Sequence, residues 1–193
     1  MENTSFNELA KRAFESAKAK GFHDVEHEDG HWLMLVVCEL AEAVEADRDG
    51  RRADRQTYDF LLADYGKQLR RHLFEMHIKD TVEDELADAA IRMLDFLGMK
   101  GYEIPDDYIT KENIKMTLNS TYLSEEWKGI KTFTGRVLMS GVGTVVRMGD
   151  CAPDAVLYSV FSIAELYGID LMWYVKEKMW YNEHREYMHG KKY

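Results

Sequence analysis

Apolar residues recur along this chain at intervals of three and four rather than in alternation, which predicts helices and no sheet. Phe6, Leu9, Ala10, Ala13, Phe14 and Ala17 make one face of a first helix, with Ser5 and Glu8 at capping-box spacing before it and Gly21 behind it. Leu33, Val36, Val37, Leu40 and Val44 predict a second helix over residues 31–49, stopping near Gly50. Tyr58, Leu61, Leu62, Tyr65, Leu69, Leu73 and Met76 keep the same spacing and predict one connecting helix. Leu86, Ala90, Met93 and Leu97 give a buried stripe over residues 81–97, with Asp80 and Glu83 as a capping box and Gly98 as the stop.

MKGYEIPDDYIT then reads as a loop, since Pro105 excludes a continuous helix. Short helices are expected over residues 111–122 and 124–131, and a longer one near 134–147. Pro153 starts AVLYSVFSIAELYG, Gly168 ends it, and Asp170 can cap a final helix, LMWYVKEKMWYNEHREY. The pattern predicts an all-α helical bundle, one domain over residues 1–193, with a four-helix core.

The second half aligns faintly on the first. Residues 155–169 match 85–99 without gaps at small and apolar positions, with Glu85 and Asp88 replaced by Ala155 and Tyr158; Glu39 and Glu42 fall on Met139 and Val142. Residues 134–187 are thus a degenerate copy of the two-helix unit, or two buried helices that share small residues without common descent.

Charge narrows the possible partners. The 193 residues carry 35 acids against 25 Lys plus Arg, a net charge of −10, which disfavours a nucleic acid polymer or an anionic membrane as partner. Cys38 and Cys151 make no disulfide framework, the amino terminus lacks signal-peptide regions, and no run reaches the ~18–20 apolar residues of a membrane span. The expected location is cytoplasmic.

Two acid pairs stand out against this background. Chance alone supplies about six acid pairs at spacing three in such a chain, so one pair by itself is usually a solvated face. Glu39 with Glu42, and Glu85 with Asp88, differ because their helix neighbours are core residues. Like charges there need a counter-ion, and if the two helices pack together, four carboxylates converge on a cleft suited to a hard divalent cation. On the final helix Lys178, Asn182 and Arg185 share a face, followed by Lys191 and Lys192; they can grip phosphate oxygens, or simply complement the helix dipole. Phe22 and Trp32 can stack on a nucleobase or belong to the core. Two rival constellations are weaker: Glu28 with His31 and Glu186 with His189 have di-iron spacing but lie at helix ends, and His23–Asp24 lacks the further histidines of a metal phosphohydrolase.

KGFHD (20–24), LMLVVCELAEAVEADR (33–48), EDELADAAIRML (83–94) and KMWYNEHREYMHGKKY (178–193) together resemble the MazG-like all-α nucleotide pyrophosphohydrolases, relatives of the dimeric dUTPases. The resemblance implies magnesium-dependent, or manganese-dependent, hydrolysis of a nucleoside triphosphate to the monophosphate and pyrophosphate. It assigns the metal and the catalysis to Glu39, Glu42, Glu85 and Asp88. Nucleotide contacts fall to Lys178, Asn182 and Arg185, with Lys191 beyond them, and the likeness implies a homodimer or higher homo-oligomer. Cys38 stands where family members often double the acid, and His23 where an aromatic is common. The alternative is a noncatalytic helical module that binds a nucleotide or a protein through a degraded site.

Overall fold

The computed structural model describes residues 5–119, 129–148 and 152–185, and no strand is present among them. The all-α expectation holds. In chain order the helices are α1 (Phe6–Ala19), α2 (Asp29–Arg48), α3 (Arg55–Tyr65), α4 (Arg70–His77), α5 (Val82–Lys100), α6 (Lys111–Asn119), α7 (Phe133–Val146), α8 (Asp154–Leu166) and α9 (Leu171–Glu183). The bundle is built around α5, against which α1, α2, α8 and α9 all pack.

The reason lies in the side chains of α5. Leu86, Ala87, Ala89, Ala90, Met93, Leu94, Phe96 and Leu97 are all buried, so this helix is apolar on nearly every side rather than along one stripe. Large-to-small substitution at such a residue costs about 2–5 kcal/mol. Small residues also let its neighbours come close. A Cβ on Gly98 would stand 2.4 Å from the Ala10 carbonyl oxygen, so Gly98 is the contact point between α1 and α5. It does not stop the helix, as the sequence predicts; Gly101, at φ 61°, does.

Three other local expectations change. The connecting helix breaks at Gly66, whose φ of 73° and ψ of 178° fit neither α3 nor α4; a 3₁₀ turn, Lys67–Leu69, bridges them. Tyr65, Leu69 and Met76, read as core from their spacing, are exposed. The cap of α5 is Thr81, whose hydroxyl accepts from the Asp84 amide, while Glu83 accepts from the Ala53 amide. Ser5 and Glu8 do form the reciprocal box at the start of α1.

The carboxy-terminal helix is held by ion pairs from three elements. Arg12 on α1 makes a two-pronged contact with Glu183, at 2.7 and 3.0 Å. Arg70 on α4 grips Glu177, which also accepts from the Tyr58 hydroxyl at 2.9 Å. Asp170 takes the N-cap position but makes no side-chain cap; it pairs with Arg55 instead. Among the described residues no single helix is long and apolar enough to cross a membrane. Residues 124–128 of the expected helix over 124–131 fall outside the described residues.

Candidate functional site

Both acidic helices contribute to one cleft of about 280 Å³, which α1 and α9 complete. On α2 the buried face runs through Trp32, Val36, Glu39, Leu40 and Ala43, so Glu39 faces inward while Glu42, one turn on, is exposed at the cleft's edge. On α5, Glu85, Asp88, Arg92 and Asp95 follow at steps of three and four and line the cleft as one strip.

Glu39, Glu85 and Asp88 each offer an oxygen within 4.8 Å of the others. That closeness is unfavourable without a cation. Burial, reinforced by Asp88, pushes Glu85 up to about 8. Burial and Asp88 likewise push Glu39 up to about 7, against the opposing pull of Arg92, whose Nε donates to Glu39 Oε1 at 3.0 Å.

Lys178 is the internal counter-ion. Its ammonium is buried and lies 2.7 Å from both Asp84 Oδ2 and Asp88 Oδ2. Burial alone would lower its pKa, but Asp88 and Asp84 more than reverse that and hold it protonated. Asp84 is itself fully buried, takes a 3.0 Å hydrogen bond from the Asp80 amide, and leaves Oδ1 without a partner. Lys20, Lys79 and Arg185 add positive charge around the cleft, and Asn182 lines it with an unpartnered Oδ1.

Of the residues read from the sequence, the cleft therefore brings together Glu39, Glu42, Glu85, Asp88, Lys178, Asn182, Arg185 and Phe22. Trp32 is not among its lining residues. It is buried in an aromatic group, its ring stacked on His23 at 4.5 Å with His27 and His31 at its edges. His23 does not act with Asp24 but pairs with Asp95 across the fold, Nε2 to Oδ1 at 2.8 Å. His31 lies in the first turn of α2 stacked on His27, and it is not one of the three residues whose ligand atoms converge. Lys191, Glu186 and His189 lie outside the described residues.

Among the charged residues at the cleft, Arg92, Asp95 and Lys79 have no counterpart in the sequence reading, and neither has Asp84, which meets Lys178 beneath the cleft lining. Arg92 and Asp95 had a usable signal, because they continue the face of Glu85 and Asp88 along an otherwise apolar helix. Asp84 had none, since an acid in the first turn of a helix is ordinary.

No family model, curated protein or solved structure matches this chain.

Proposed function

We propose that the chain hydrolyses a nucleoside triphosphate to the monophosphate and pyrophosphate with the help of a divalent cation, magnesium or manganese. The observation that carries this reading is the convergence of Glu39, Glu85 and Asp88 within 4.8 Å in a cleft that also holds Arg92, Lys178 and Arg185.

The donor set suits a hard cation. It is all oxygen, comes from two helices clamped by a common core, and contains two carboxyl groups whose proton affinity is raised by burial and by the neighbouring Asp88. Glu39, Glu85 and Asp88 would hold the ion, with Glu42 at the open edge. A cation bound there supplies charge neutralisation for phosphate oxygens and acidifies a coordinated water.

The protein's own groups divide the rest of the work. Arg92 fixes the Glu39 carboxylate from behind, and Lys178 fixes Asp88, so both carboxylates are oriented before substrate arrives. Glu42, exposed and outside the three-carboxylate group, is placed to accept a proton from water entering the cleft. Arg185, Lys20 and Lys79 line the same space and supply donors for the phosphate chain.

The test is pyrophosphate release from a panel of ribo- and deoxynucleoside triphosphates, with magnesium and with chelator. Magnesium-dependent release that Glu85→Gln abolishes is the expected result. Binding of nucleotide without any release would instead select the noncatalytic module.

A further inference from the structure

The cleft extends past the carboxylates to a second end with different chemistry. From Asp88 to Asp95 the strip on α5 climbs about 10 Å. From α1 the cleft takes only the small residues Ala13, Ser16 and Ala17, and from the loop that follows it takes Phe22, whose ring centre lies 5.7 Å from the Arg92 guanidinium carbon. Small side chains and one aromatic ring in the lining suit a flat, apolar-faced ligand group.

Asp95 is the acceptor at that end. It is 5% exposed, and its Oδ1 accepts from His23 Nε2 at 2.8 Å. Because a carboxylate only accepts, the His23 proton sits on Nε2. His23 cannot swing away, since its ring is stacked on Trp32 and meets the edge of Phe14 at 4.9 Å. Asp95 Oδ2 has no hydrogen-bond partner among the described residues. The dyad thus holds one oxygen of Asp95 in place and leaves the other as an acceptor with no partner among the described residues.

We propose that this end is a nucleobase slot and that Asp95, positioned by His23, selects bases bearing an exocyclic amino group over uracil and thymine. The inference rests on the nucleotide reading of the same cleft. An amino group offers N–H donors to Oδ2. The corresponding edge of uracil or thymine sets two carbonyl oxygens beside a single N–H, and those oxygens repel a buried carboxylate. Asp95 is a specificity residue, about two turns along the same face of α5 from the group that would hold the ion.

The experiment compares dCTP, dATP and dGTP with dUTP and dTTP, on the natural protein and on Asp95→Asn. That variant keeps the oxygen that His23 holds and turns the other position into an N–H donor. The natural protein is expected to favour the amino bases in kcat/KM by roughly ten- to hundredfold, the range of one hydrogen bond to a charged group. In Asp95→Asn this ratio falls at least about tenfold, mostly through the amino-base KM. Equal use of all five nucleotides by the natural protein, or a uniform loss in the variant, overturns the inference.

If no triphosphate is hydrolysed, calorimetric binding of dCMP, dAMP, dGMP, dUMP and dTMP decides the slot separately. A preference for the amino bases that Asp95→Asn removes sustains it without the catalytic reading; no preference, or no binding, defeats it. Ala17→Trp is a second variant that does not touch the dyad. It should abolish monophosphate binding while leaving the thermal shift produced by magnesium alone, and retained monophosphate binding counts against the slot.

Discussion

The helices α2 and α5 carry similar acid pairs in opposite settings. On α2 one member, Glu39, is buried beside Arg92, and the other, Glu42, is exposed. On α5, which four helices cover, Glu85 is buried, Asp88 is half-buried, and Asp84 beside them has no exposure at all. The exposed acid on α2 is solvated and needs nothing further. Those on α5 are desolvated, and the chain supplies Lys178 from the far end of the sequence to face two of them. How completely a helix is wrapped therefore sets the electrostatics of the site, since the spacing of the acids is the same on both.

Removing the counter-ion should break α5 hardest. Lys178→Met leaves Asp84 and Asp88 facing each other without an ammonium, and loss of one partner from a buried pair costs about 3–5 kcal/mol. Urea denaturation of the metal-free protein measures this; a loss under 1 kcal/mol would mean that the pair is better hydrated than its burial indicates.

Glycine substitutions contrast the two helices through packing alone. Gly98→Ala on α5 puts a methyl into the α1 backbone and should cost about 1–3 kcal/mol. Gly30→Ala in the first turn of α2 meets nothing within 4 Å and should gain up to about 1 kcal/mol. Paired melting curves test both.

Acidity sharpens the same contrast. Burial raises Glu85 to about 8 and Glu39 to about 7 in the folded chain, from an ordinary 4.5. The folded state then binds more protons than the unfolded state over that interval, so the stability contributed at low pH is lost as pH rises through the folded values. The metal-free protein should therefore melt progressively lower between pH 5 and pH 8, with magnesium restoring most at pH 8. Glu85→Gln should remove much of that slope and raise the melting temperature at pH 8 by roughly 2–4 °C, as about 1 kcal/mol does in a chain of this size.

The smallest structural effect belongs to α2's exposed acid. Glu42→Gln should change stability by less than about 0.5 kcal/mol, while lowering any pyrophosphate release about 100-fold or more. Unchanged release would place the proton acceptor elsewhere.

Much of the architecture was legible from local pattern. The Ser5–Glu8 box, the stop at Gly21 and the helices bearing both acid pairs depend on residues a few positions apart, and they stand within a few residues of where periodicity puts them. Periodicity failed where a single residue overrode it. Gly66 splits the connecting helix by its backbone angle, and Gly98 looks like a stop although a close helix crossing requires it.

The helical class and the strip of Glu85, Asp88, Arg92 and Asp95 follow from local spacing, because helical periodicity places such residues on one face. Packing alone decides which helix lies at the centre, that Lys178 faces Asp84 and Asp88, and that His23 pairs with Asp95 across the fold. Those pairings join residues 72 to 94 positions apart. Burial makes them favourable, and burial is a property of the packed bundle that no local spacing encodes.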